Sequence, residues 1–158
     1  LVITFQLNSF WEEPSQRRCV PKAIKEAQNR WYLIAYDLDR NDFRNYGLDR
    51  ISNFQLTSSS KNSPQINIPN HYENAFGIET YAEPTTILLE FDNSQKEYIK
   101  SLPFHHSQEI IEERKETFLV KLFLHPTNDF KMEILRFGKW CEVIEPKNFR
   151  EKINFGYS

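Results

Sequence analysis

Residues 29–51 read NRWYLIAYDLDRNDFRNYGLDRI. Two strand-like runs rich in aromatics and arginines, RWYLIAYD and FRNYGLDRI, flank a short polar stretch. Runs of this kind, bounded by Asp and Asn, form paired antiparallel strands rather than helices. Side chains alternate across a strand, so Arg30, Tyr32, Ile34 and Tyr36 share one face, and Trp31, Leu33, Ala35 and Asp37 the other. The Trp31–Leu33–Ala35 face is apolar enough to be core. The Arg–Tyr–Tyr face is amphipathic and suits water. Within FRNYGLDRI, Arg44, Tyr46, Leu48 and Arg50 alternate in the same way, which predicts a second arginine-aromatic row beside the first.

Strands continue on both sides of this pair. VITFQL alternates, RRCVPKAIKEA is strand-like with Pro21 at an edge or bulge, and NFQLTS closes the series. Several short strands within residues 1–57 predict a small barrel of the Sm or SH3 kind. Composition then shifts to Ser, Asn and Pro over residues 58–83, a connector with one short helical candidate, NHYENAFG. Residues 84–158 predict a second domain. TTILLEF is a strand; Ser94 and Glu97 have capping-box spacing ahead of a helix with Tyr98, Ile99 and Leu102 on one face. SQEIIEER and ETFLVKLFLH follow as a hairpin. Thr127 or Asn128 caps a helix bearing Phe130, Ile134 and Phe137 and ending at Gly138; WCEVIEP is a strand and PKNFREKI a helix. The order β-α-β-β-α-β is that of a ferredoxin-like domain, so the fold class expected is α+β, a small barrel followed by a ferredoxin-like unit.

Bulk properties narrow the function. A formal net charge of −2 argues against a nonspecific polyanion binder but leaves room for a local basic patch. The longest apolar runs are too short and too charged to cross a membrane, and LVITFQLNSF lacks the basic start and cleavage site of a signal peptide. Cys19 and Cys141 lie far apart without metal spacing, which points to reduced, structural thiols and a cytoplasmic location. The chain starts at Leu1, already in a strand pattern, and its single methionine is Met132, so a piece of a longer protein is expected. FHHSQE places His105, His106 and Glu109 together, but no second ligand set accompanies them, and a turn is the simpler reading. No phosphate loop, nucleophile elbow or HExxH helix is present, so neither an enzyme, a metal nor a cofactor is expected.

The ordered series Pro21, the helix-like AIKE, Arg30 and Trp31-Tyr32-Leu33, then Arg44, Tyr46, Leu48, Asp49, Arg50 and Ile51, resembles the WYL-domain transcriptional regulators of bacteria. TTILLEF, HPTNDF, ILRFGKWCEVIEP and FREKI resemble the C-terminal extension often found behind that domain. The resemblance covers nearly the whole chain. It implies a barrel that senses an effector, single-stranded nucleic acid or a nucleotide, with promoter DNA bound by an upstream winged helix-turn-helix. A homodimer is expected, with the C-terminal extension supplying a dimer contact or clamping the effector. Lys22 departs from the pattern, since many relatives carry an aromatic or aliphatic residue after the proline.

Guanidinium groups pair with phosphate, and aromatic rings stack on unpaired bases. Tyr32, Arg44 and Arg50 are therefore the leading ligand-binding candidates, with Lys22 and Tyr36 behind them. The structural alternative is that Arg50 pairs with Asp37 or Asp49 while the tyrosines cap the core. Gly47 and Asp49 are expected to serve a bend and a turn. Two rival functions stay open: a dimerisation scaffold without ligand, and a standalone nucleic-acid-binding accessory protein.

Overall fold

The computed structural model describes residues 1–157, with side chains through Asn154. The chain divides into two compact units, Leu1–Asn70 and the part from His71 onward.

The first unit is a five-stranded antiparallel sheet of β1 (Ile3–Leu7), β2 (Ser15–Ala27), β3 (Arg30–Asp37), β4 (Asp42–Gly47) and β5 (Ile51–Leu56), in the order β4-β3-β2-β1-β5. A 3-10 turn, Leu48–Arg50, joins β4 to β5. Among the described residues no ladder joins β4 to β5, so the expected barrel is strongly connected but not closed. Segment AIKE is strand, not helix: β2 runs straight through it, with a bulge between Pro21 and Ala23 where the proline cannot donate to the ladder. Gln28 and Asn29, both at positive φ, form the two-residue turn from β2 to β3. The core is Ile3, Phe5, Cys19, Leu33, Ala35 and Tyr46. Leu33 and Ala35 therefore build it as the alternation predicts, whereas Trp31 is 56% exposed. Trp31 pairs with exposed Glu26 near the end of the hairpin, beyond the reach of the core.

A short helix α1 (Ile68–His71) takes in only the first two residues of the stretch expected to be helical, NHYENAFG, whose remaining residues form turns and bends. The second unit is a four-stranded sheet of β6 (Thr85–Asp92), β7 (Glu109–Glu113), β8 (Thr117–Leu124) and β9 (Cys141–Glu145), in the order β7-β8-β6-β9. With helices α2 (Lys96–Ser101) and α3 (Asn128–Leu135) as crossovers and α4 (Lys147–Tyr157) at the end, this is the expected βαββαβ arrangement. Ile87, Leu89 and Phe91 of β6 face the same way as Leu122, Val120 and Phe118 of β8, their direct partners. Ile99, Phe130, Ile134, Phe149 and Ile153 from the helices cover that face. Of the three residues expected on the apolar face of α2, only Ile99 is buried; Tyr98 and Leu102 are exposed, because the helix is too short to lay a full stripe on the sheet. Its entry also differs from a capping box. Asp92 accepts from the Ser94 N–H at 2.9 Å and caps a preceding 3-10 turn, Asn93–Gln95.

Candidate nucleic-acid interface

The register between β3 and β4 decides which side chains can act together. Tyr46 lies opposite Leu33 and Arg44 opposite Ala35, while Phe43 lies opposite Tyr36 and Gly47 opposite Tyr32. Residues directly opposite share a face. Arg44 and Tyr46 therefore stand on the Leu33–Ala35 side, and Tyr32 and Tyr36 on the other. The two arginine-aromatic rows expected to adjoin are separated by the sheet.

On the Leu33–Ala35 side the polar groups converge on Asp37, which is fully buried. Its Oδ2 accepts from the Tyr46 hydroxyl at 2.7 Å, Arg17 Nη1 at 3.3 Å and Arg40 Nη1 at 3.2 Å. Its Oδ1 accepts from the backbone N–H groups of Asp39 and Arg40, both at 3.0 Å, and so also closes the β3–β4 turn. Burial opposes its charge, but the Tyr46 hydroxyl, the two N–H groups and Arg40 outweigh it and hold the carboxyl below its ordinary range. Burial, and then the bond to Asp37, push the Tyr46 phenol well up. The Cys19 thiol donates to the same hydroxyl at 3.7 Å, and burial pushes its pKa up to about 11. This constellation holds the Asp37 charge in place and keeps the Cys19 thiol and the Tyr46 phenol protonated.

Arg44 is half exposed and 3.7 Å from Asp42. Tyr36 makes an edge-to-face contact with Phe43, ring centroids 5.2 Å apart. Tyr32 flanks Gly47, where an added Cβ would come within 2.8 Å of Asp49 Oδ1 and 4.0 Å of the Tyr32 ring. Gly47 has an ordinary extended backbone, so what it supplies is room for the Asp49 side chain rather than an unusual dihedral. Lys22 sits at the β2 bulge and donates to Ser63 Oγ at 2.6 Å.

Arg50 pairs with neither Asp37 nor Asp49 among the described residues. Its guanidinium lies 5.3 Å from the centroid of the Phe10 ring, in the loop between β1 and β2. The loop is tied there by Asn8, whose backbone N–H donates to the Arg50 carbonyl at 2.8 Å and whose side chain donates to Ser52 Oγ at 3.0 Å. Phe10 is 82% exposed and Trp11 92% exposed. Phe10 thus offers solvent an exposed ring face with a guanidinium against it, and Trp11 a second exposed ring next in the chain, groups able to stack on a base and to pair with a phosphate. Neither aromatic belongs to an alternating run, so strand patterning passes over them. Their signal is local: Phe-Trp set in a polar loop that closes with Glu-Glu-Pro.

In the second unit, the Nε2 atoms of His105 and His106 lie 2.8 and 2.9 Å from the Glu73 carbonyl oxygen, and His105 Nδ1 lies 2.7 Å from Ser107 Oγ. These rings fasten the segment after α1. Among the described residues no group of three or more side chains could hold a metal ion. No described helix is long and apolar enough to cross a membrane.

The family model of the WYL domain matches residues 2–56, and that of the WCX domain matches residues 83–154. This chain is a WYL-domain protein. Its WCX domain follows as the second unit. Among solved structures, the chain is similar to a CRISPR Cas-related protein, with 16% identity over 99% of this chain and 45% of that one, at a TM-score of 0.60. It is also similar to proteasome accessory factor B/C (PafBC) of Arthrobacter aurescens, with 16% identity over 96% of this chain and 23% of that one, at a TM-score of 0.42. The chain thus spans less than half the length of either structure, and the likeness to the first is one of fold.

Proposed function

We propose that this WYL–WCX chain is the effector-sensing part of a cytoplasmic bacterial transcription regulator, without enzymatic activity. The effector is a single-stranded nucleic acid or nucleotide. It docks on the first unit and shifts a homodimer whose promoter contacts are made by a DNA-binding domain elsewhere in the protein. Such a shift requires that the effector bind one arrangement more tightly than the other.

The observation that carries this reading is the exposed set of Arg50, Phe10 and Trp11. A base stacked on an aromatic side chain gains roughly 1–3 kcal/mol, and the neighbouring guanidinium takes a phosphate in two parallel hydrogen bonds. Tyr32 lies opposite Gly47, just before the 3-10 turn that carries Arg50. Arg44 and Tyr36 lie on opposite faces of the sheet and Lys22 is held at the β2 bulge by Ser63, so none of the three is part of the primary contact.

Fluorescence anisotropy with labelled single-stranded oligonucleotides at low salt tests the proposal. Binding is expected to weaken as salt rises, and at least tenfold in Arg50→Ala and in Trp11→Ala. Arg44→Ala is expected to weaken it less, since Asp42 already engages that side chain. Binding unchanged by Arg50→Ala plus Trp11→Ala would overturn the site. Absence of binding at every salt concentration would favour a dimerisation scaffold.

A further inference from the structure

Independently of the nucleic-acid reading, we infer that the first unit holds a second site, for a small monocarboxylate with an apolar body. On the core-facing side of the sheet, residues of β2 and β3 together with the 3-10 turn and β5 enclose a groove of about 490 Å³. Ile24, Leu33, Leu48, Ile51 and Phe54 line it, and Lys22 stands among them. Ile24, Leu48 and Phe54 are all exposed, a contiguous apolar surface rather than scattered single residues. The volume falls within the roughly 300–1,000 Å³ of small-molecule sites, and the composition matches them: apolar walls with one placed polar group.

Lys22 determines the chemistry of the occupant. Its ammonium carries three donors, and its partner is a neutral hydroxyl, Ser63 Oγ. No carboxylate among the described residues pairs with it. An uncompensated cation at an apolar groove complements one anionic group on an apolar body. A nucleic-acid strand would need cations spaced along its phosphates, and the groove lining holds one. A second copy docked symmetrically would bring the same patch of both chains together, Lys22 against Lys22.

Octanoate and its neutral counterpart 1-octanol are the probes, titrated into the isotope-labelled chain and followed by amide chemical shifts. Octanoate is expected to saturate a site that moves the amides of Leu33, Leu48, Ile51 and Phe54, at least tenfold more tightly than 1-octanol. Lys22→Gln should bring octanoate down to the level of 1-octanol and leave 1-octanol unchanged. Leu48→Glu, at an exposed position the fold tolerates, should abolish both. Arg50→Ala should leave octanoate binding intact, which separates this site from the oligonucleotide site. The inference is overturned by equal affinity for the two probes, by octanoate binding unaffected in Lys22→Gln, by shifts confined to residues outside the groove, or by no saturable binding. Concentration-dependent self-association removed by Leu48→Glu would assign the groove to a second copy and likewise overturn it.

Discussion

Asp37 shows what a single residue can contribute in the first unit. Its two oxygens receive three side-chain and two backbone donors, so it closes a turn and anchors Tyr46 in the core at once. Asp37→Ala leaves the Tyr46 hydroxyl and Arg17 without their acceptor, while Arg40 can turn to water. A loss of about 2–4 kcal/mol is expected, readable as a lower urea midpoint. The pH dependence has a definite sign. The folded-state pKa lies below the unfolded value of about 3.9, so the contribution is complete above that value and disappears as pH falls through the folded pKa. Urea midpoints of the wild type and Asp37→Asn should therefore show their full difference above about pH 4 and converge only as pH falls below it. Cys19 supplies a second residue-scale expectation. Buried, with its pKa pushed up to about 11, it is almost wholly a thiol at neutral pH. Burial pushes the pKa of Cys141 up as well. Iodoacetamide should modify neither cysteine in the native protein and both in denaturant, as mass spectrometry would show. Labelling of the native state at the rate of a free thiol would contradict this burial.

At the scale of elements, strand and helix order was legible because patterning is local. Alternation located β1 and β3, the apolar run TTILLEF located β6, and the spacing of Phe130 and Ile134 located α3. Cross-strand register is not local. Alternation places Arg44 and Tyr46 on one face of β4, but only the four residues between Asp37 and Asp42 set which face of β3 they join. A shift of one residue would have united Arg44 with Tyr32, the arrangement expected from the two runs read separately. Bulges add to the difficulty: the one after Pro21 puts Lys22 at the groove, and neighbours in the chain do not announce it. The Arg50–Phe10 contact joins residues far apart in sequence, so it too needed the fold. The second unit offers a test of element packing. Phe91 of β6 is fully buried and contacts the rings of Phe104, Phe118 and Phe137 at 5.9, 5.6 and 5.3 Å. Phe91→Ala should cost about 3–5 kcal/mol. Ile111, on the edge strand β7 and 47% exposed, should cost well under half of that on truncation to alanine. Equal losses in denaturant titrations of the two variants would contradict the packing.

For the molecule as a whole, the division into two compact units predicts where each substitution is felt. One core cluster draws its side chains from the first unit alone, the other from the second alone. Stability in a protein is local to its cooperative units, and amide exchange reads it peptide by peptide. In Asp37→Ala, peptides covering β1 to β5 should exchange faster, by the factor corresponding to the lost stability, roughly tenfold for each 1.4 kcal/mol. Peptides covering β6, β8 and α3 should keep their wild-type protection. Phe91→Ala should give the reverse pattern, and the double variant should show both losses without enhancement, since residues that share no partners contribute additively. If either substitution deprotected both sets of peptides together, the WYL and WCX domains would be one cooperative unit. An effector bound to the first could then act on the second through shared stability, and protection in the second unit would rise when ligand is added to the first. With separate units, ligand should raise protection in the WYL domain alone. Any signal between the domains would then have to travel through a change in their placement rather than through a common core.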